Sequence, residues 1–173
     1  WWAGLYGDLL ATGIDGVWND MNEPAVFDNE AKQVPEDLHH RADDLLGGPG
    51  PHARFHNAYG MLMVRASREG IAAARPTRRP FILTRSNFIG GQRYAATWTG
   101  DNKSDWQHLA WSIPMTLNLG LSGQPFAGPD IGGFSGNADG KLFARWMGIG
   151  ALLPFARGHS IKDSVAHEPW AFG

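Results

Sequence analysis

The chain has 173 residues, 43% of them hydrophobic and 18% charged, with a formal net charge of −2. That is enough for one domain with a substantial core. With no block of like charge, nucleic acid and anionic membrane surfaces are excluded as partners. With no cysteine, disulfides and thiolate metal sites are excluded and the compartment is left open. No apolar run is long enough to span a bilayer. The chain begins at Trp1 and closes on an aromatic-rich stretch, and eight Trp and 23 Gly are many for its length. A piece of a larger protein is expected, and the lack of a visible signal peptide then says nothing about the parent.

Five segments read as strands that stop at a polar residue: Gly13 to Asp20, Pro80 to Arg85, Tyr94 to Asp101, Gln124 to Asp130 and Leu152 to His159. Near-continuous apolar runs such as Phe81-Ile82-Leu83 suit strands covered on both faces. Helical patterns lie between them. His56 to Ala74 carries Tyr59, Leu62, Met63, Ala66 and Gly70 at helical spacing. Ser104 or Asp105 caps a pattern holding Leu109, Ile113 and Leu117, which Pro114 is expected to kink or shorten. Asp139 precedes Leu142, Phe143, Trp146 and Ile149. The order strand, helix, strand argues for a parallel sheet with crossover helices. The polar stretch from Ala25 to Phe55 reads as a long loop, a lid or an outer wall of a site.

Charged strand ends separate two parallel architectures. A doubly wound sheet concentrates its site at one switch point, often with a glycine-rich phosphate loop, and no such loop is present. A TIM barrel draws catalytic residues from the C-terminal ends of several strands. A full barrel needs eight strands and about 250 residues. The fold expected is therefore α/β, the C-terminal portion of a TIM (β/α)8 barrel with about five strands.

Two acids stand out. Asp20 closes Trp18-Asn19-Asp20-Met21-Asn22-Glu23-Pro24, and Asp101 follows Trp98-Thr99-Gly100. Two carboxylates at two strand ends, beside flat aromatic faces, suit cleavage of a glycosidic bond: one attacks or stabilises the anomeric carbon and the other protonates the leaving oxygen. Each residue has a bland rival. Asp20 could cap a turn, but Trp18 and Asp20 are two apart and share a strand face. Glu23 is the competing carboxylate and reads as a support that hydrogen-bonds the site. Gly100-Asp101-Asn102 is ordinary turn chemistry without Asp20 as its partner. Arg85 could pair with a helix, Asp130 could serve the Gly132-Gly133 turn, and His159 could be a satisfied core histidine. His39, His40, His52 and His56 match no compact zinc spacing, so no metal is expected. Trp1, Trp2, Trp106, Trp111, Trp146 and Trp170 read as core, and Trp18 and Trp98 as sugar platforms.

Taken together the motifs resemble glycoside hydrolase family 31, the alpha-glucosidase family, over nearly the whole chain. Gly16 to Pro24 is similar to its nucleophile signature. Leu83-Thr84-Arg85-Ser86 with Arg93 to Asn102 is similar to its arginine and acid/base segment. Gly128 to Phe134 and Leu153 to Ser160 are similar to two further signatures. His39-His40 and Tyr59-Gly60-Met61-Leu62 resemble bacterial members. Thr97 is a minor departure, since many members have histidine there. The resemblance implies a retaining hydrolase with Asp20 as nucleophile and Asp101 as general acid/base. It implies that Trp18, Glu23, Arg85, Trp98, Asp130, Arg157 and His159 serve substrate binding. No cofactor is implied. The partner implied is a small or oligosaccharide alpha-glucoside. Residues 1–173 would be a partial catalytic domain lacking the first strands and the flanking beta domains. Alpha-xylosidase, transglucosidase or lyase activity, or a sugar-binding fragment without turnover, are the alternatives.

Overall fold

The computed structural model describes residues 1–173. Contacts divide them into two compact units, Trp1–Ala95 and Ala96–Gly173.

The first unit opens on a 3-10 turn, Trp2–Leu5, which runs into α1, Tyr6–Ala11. Strand β1, Gly16–Asn19, comes next. A long connection then carries a two-residue antiparallel hairpin, β2 (His39–His40) with β3 (Gly50–Pro51). Helix α2 spans His52–Ala74, and β4, Phe81–Thr84, lies parallel to β1 with Gly16 opposite Phe81 and Asn19 opposite Thr84. Parallel neighbours need a crossover, and α2 provides it. The core gathers Tyr6, Leu10, Val64, Ile71 and Ile82, with Val17 and Tyr94 packed against it.

Helix α2 starts one turn before the expected His56, and of the expected stripe only Gly70 is fully buried. Gly60, Val64, Ser67 and Ile71 are its buried stripe, whereas Tyr59, Leu62, Met63 and Ala66 are only partly covered. Close approach decides this. A Cβ on Gly60 would lie 2.7 Å from the Ser86 carbonyl oxygen, and one on Gly70 would meet the Ala3 carbonyl. Ser67 donates to Asn19 Oδ1 at 2.7 Å, accepts from Trp2 Nε1 at 2.9 Å and lies 2.8 Å from the Tyr6 hydroxyl. Asn19 in turn donates to Tyr6 at 3.2 Å. Small and polar residues thus form the seam that clamps the end of β1 to two helices, and a hydrophobic stripe would hold it too far away.

The second unit starts with β5, Ala96–Trp98, followed by α3, Trp106–Leu121. Asp105 caps α3 by accepting from the His108 amide at 2.7 Å, and the helix continues through Pro114. The expected apolar stripe is corrected here too: Leu109, Ser112 and Thr116 are buried, and Ile113 and Leu117 are exposed. The segment Gln124 to Asp130 divides at Pro129 into β6, Ala127–Gly128, and β7, Asp130–Ile131. Proline has no amide hydrogen to give to a ladder. On one side of it β6 pairs parallel with β5, and on the other β7 pairs parallel with β8, Arg157–Gly158. Helix α4, Gly140–Gly150, lies between them and is capped by Asp139, which accepts from the Leu142 amide at 2.7 Å. The last expected strand is shorter than its sequence suggests. Leu152 and Leu153 donate back to Ile149 and Gly150 in turns that extend α4, so the apolar run is partly a helix end.

The second core holds Leu109, Ile131, Ala138, Leu142, Phe143 and Trp146, with Phe172 stacked on Phe143 at 4.1 Å. Of the tryptophans expected in cores, Trp146 is fully buried and Trp2 packs on the first core, but Trp1, Trp106, Trp111 and Trp170 are exposed. No helix is long and apolar enough to cross a membrane.

Candidate active site

In the first unit the alternation of β1 decides what its end can do. Val17 and Asn19 face the helices, so Trp18 and Asp20 face the other way. Trp18 is 47% exposed on that face. The register continues past the strands, with the Arg85 amide donating to the Asn19 carbonyl at 3.2 Å. That places Arg85 beside Asp20, and its Nη1 lies 3.3 Å from Asp20 Oδ1. The same guanidinium grips Glu23 with a fork, Nε to Oε1 at 2.8 Å and Nη2 to Oε2 at 2.9 Å. Arg85 is thus a cation bridging two carboxylates, and a planar fork of this kind holds orientation as well as charge.

The turn after β1 is tightly bent. Met21 has φ of 53°, its amide donates to Asp20 Oδ1 at 2.8 Å, and the Glu23-Pro24 peptide is cis. Asn22 is buried within it at 1% exposure. Its Nδ2 donates to Thr84 Oγ1 at 2.8 Å and its Oδ1 accepts from the Ser86 amide at 3.0 Å. Asn22 is not marked in the sequence. A buried amide in a turn leaves no periodic signal.

In the second unit Arg157 is the centre. Its Nε donates to Asp130 Oδ1 at 2.7 Å, and its guanidinium lies 4.7 Å from the Trp98 ring centroid. Asp130 has no exposed surface and Trp98 has 2%. The open aromatic platform expected of Trp98 is therefore corrected: a cation covers its ring, because Arg157 reaches it from β8. Asp130 and Trp98 both contact the Arg157 side chain. His159 stacks on Phe134 at 5.2 Å and 27° and is half-buried. Asp101 sits on an exposed bend directly after Gly100, whose φ is +86°. The next residue, Asn102, is buried and is also not marked in the sequence. It donates to the Asp130 carbonyl at 3.0 Å and accepts from the Phe134 amide at 3.0 Å.

Two histidines outside these clusters carry perturbed acidity. His52 is buried at the start of α2. It lies 2.8 Å from His40 and 2.9 Å from His56, in a chain of three imidazoles. Burial first, then His40 and His56, lower its pKa, and Glu36 opposes them. His167 is buried against Phe143. Burial lowers its pKa too, against the raising effects of the Ile131 backbone, Glu168 and the His159 backbone.

The profile described as the glycosyl hydrolases family 31 TIM-barrel domain matches residues 1–173. Alpha-glucosidase 2 of Bacillus thermoamyloliquefaciens is 49% identical over 173 residues, covering all of this chain and 22% of its own. The crystal structure of a family 31 alpha-glucosidase from Bacteroides thetaiotaomicron superposes with a TM-score of 0.83 at 58% identity, over all of this chain and 26% of that one. A glucosidase II alpha subunit bound to alpha3-Glc2 gives a TM-score of 0.90 at 41% identity, over all of this chain and 19% of that one. The chain thus spans about a fifth to a quarter of the length of these relatives. Their agreement along its whole length places it in one family: this chain belongs to glycosyl hydrolase family 31 and to that family's TIM-barrel domain.

Proposed function

We propose that the protein carrying this chain is a retaining alpha-glucosidase that removes terminal alpha-linked glucose from oligosaccharides. The observation that carries the reading is the Arg85 fork at the end of β4, which holds Glu23 and faces Asp20 in the turn after β1. A carboxylate fixed beside a cation at a strand end, with Trp18 exposed on the same face, is built to meet an anomeric carbon. Residues 1–173 supply about five strands of the C-terminal portion of the barrel. The first strands and the flanking beta domains come from the rest of the protein.

The reaction runs in two displacements. Asp20 attacks the anomeric carbon, the bond from that carbon to the glycosidic oxygen breaks, and Asp101 gives its proton to the departing oxygen. Asp101 then takes a proton from water, and the oxygen of that water displaces Asp20 from the sugar. Two inversions give net retention, with no cofactor consumed. Trp18, Arg85, Arg157 and His159 contact the sugar. Glu23 orients Arg85, while Asp130 and Trp98 orient Arg157.

The test is the anomer released by the complete enzyme from a nitrophenyl alpha-glucoside, followed by NMR before mutarotation. The alpha anomer is expected first, with no activity in Asp20→Ala. Release of the beta anomer, or full activity in Asp20→Ala, overturns the reading. The same assay with an alpha-xyloside decides between glucosidase and xylosidase.

A further inference from the structure

We infer that Asn22 and Asn102 are positioning residues, one for each catalytic acid, acting as buried amide stitches between the end of one parallel strand and the end of its neighbour. The inference rests on the assignment of Asp20 and Asp101 given above. Each asparagine follows its acid closely, at two residues and at one. Each is nearly sealed from solvent, at 1% and 7% exposure. Each spends its side-chain amide on backbone or side-chain groups at or just beyond the end of a strand that pairs with the one preceding its acid. Asn22 follows β1 and bonds to both sides of Arg85: it donates to Thr84 Oγ1 and accepts from the Ser86 amide. Asn102 follows β5, whose partner is the β6 side of the strand broken by Pro129, and it bonds to Asp130 and Phe134 just beyond.

The donor count explains why an amide stands at position 22. Thr84 has one hydroxyl proton, and it goes to the Ser86 carbonyl at 2.7 Å. Thr84 Oγ1 can then only accept, and the residue facing it must donate. The Ser86 amide on the other side needs an acceptor. Asparagine offers both in one planar group, whereas aspartate would set a carboxylate oxygen against a hydroxyl with no proton left. At Asn102 the partners are again one carbonyl and one amide, the Asp130 oxygen and the Phe134 nitrogen. Neither asparagine touches the reacting atoms. Each fixes the turn from which its acid reaches the sugar, and a catalytic group displaced by about 1 Å can lose roughly 100-fold in rate.

The two stitches serve different acids, so their loss has different signatures. The experiment uses the complete enzyme with Asn22→Ala, Asn22→Asp, Asn102→Ala and Asn102→Asp. Substrates are maltose and alpha-glucosyl fluoride. Competent sites are counted by trapping with a slow fluorinated alpha-glucosyl fluoride, so that unfolded protein is not counted. Per competent site, Asn22→Ala is expected to lose about 100-fold in kcat/KM on both substrates, because nucleophilic attack is common to both. Asn102→Ala is expected to lose about 100-fold on maltose but to be nearly unchanged on the fluoride, which needs little protonation. Asn22→Asp sets a carboxylate oxygen against Thr84 Oγ1 and is expected to lose as much as Asn22→Ala on both substrates. Where Asn22→Ala does not fold, Thr84→Val removes the same acceptor and should behave alike, with Thr84→Ser restoring activity. Unchanged values per site, or an Asn102→Ala loss equal on both substrates, would mean that the amides only stabilise the fold and would overturn the inference. Full activity in Asp20→Ala or Asp101→Ala would instead overturn the assignment beneath it.

Discussion

Arg157 and Asp130 stand opposite one another in the parallel register of β8 and β7, and Arg157 Nε donates to Asp130 Oδ1 at 2.7 Å. Asp130 is fully buried, and the Arg157 side chain is 17% exposed. Breaking a buried ion pair by removing one member costs about 3–5 kcal/mol, whereas replacing both with apolar residues is far milder. Arg157→Met is therefore expected to destabilise the protein by about that much in urea unfolding. The double variant Asp130→Leu/Arg157→Met should recover most of the loss while staying inactive. Additive single effects would show that the pair is not coupled.

Arg85→Lys keeps the charge and loses the fork. A lysine ammonium cannot hold both Glu23 oxygens and face Asp20 at once. Losing one charged hydrogen bond costs about 1.5–3 kcal/mol, so kcat/KM is expected to fall roughly 10- to 100-fold. Glu23→Gln keeps one acceptor for Arg85 and leaves its guanidinium facing Asp20, so it should fall less. Equal losses in the two variants would place Glu23 on the substrate itself and not behind Arg85.

The two acids should fail differently. Asp20→Ala cannot form the glycosyl-enzyme and should be slow on every alpha-glucoside. Asp101→Ala should still glycosylate Asp20 from a fluoride, and azide should then release the sugar as the alpha-azide, because azide needs no general base. Product analysis with and without azide checks this. Failure of azide to rescue Asp101→Ala, or full activity of that variant on maltose, would reject Asp101 as acid/base.

Gly60→Ala sets helix propensity against close approach. Alanine in a helix interior is favoured over glycine by about 1 kcal/mol. At Gly60 the new Cβ would meet the Ser86 carbonyl oxygen at 2.7 Å. That oxygen also accepts from Thr84 Oγ1, so the end of β4 would shift. Gly60→Ala is expected to lower both the melting temperature and kcat/KM. Gly148→Ala, in α4 with nothing within 4 Å of its Cβ, should raise the melting temperature.

The buried histidines make stability fall with acid. The folded-state pKa of His52 lies below the ordinary value, through burial and the neighbouring His40 and His56. Below about pH 6.5 the unfolded chain binds a proton that the folded chain resists. Stability from this group is therefore full above that pH, falls as pH drops, and levels off once the folded-state pKa is passed. His167 acts in the same direction. Urea unfolding between pH 7.5 and 5 should show this slope, and His52→Gln should flatten it while lowering stability at pH 7.5. An unchanged slope would remove His52 as its source.

Much of this was legible in the chain. Asp20 and Arg85 follow strand ends because a buried parallel strand tends to stop where charge begins, and apolar runs closing on a charge are visible without coordinates; Asp130 instead opens β7, fully buried against Arg157. The caps Asp105 and Asp139 were legible for a similar reason: an acceptor just before a helical pattern satisfies the first free amides. The wrong helix faces had one cause. Hydrophobic periodicity finds the oiliest stripe, but α2 buries Gly60 and Ser67, where the backbone of another element comes closest.

The sequence by itself determined the family, the order of the strand-ending motifs and the acids that carry the proposed chemistry, because these depend on residue identity and spacing along the chain. Only the tertiary structure decided what each side chain meets. It turned Trp98 from an open platform into the floor under Arg157, joined Glu23 to Arg85 across a long stretch of sequence, and drew Asn22 and Asn102 into the turns beside the acids. Such contacts arise from strand register and from which hydrogen-bonding groups remain unsatisfied once the backbone is placed, and neither quantity is local in sequence.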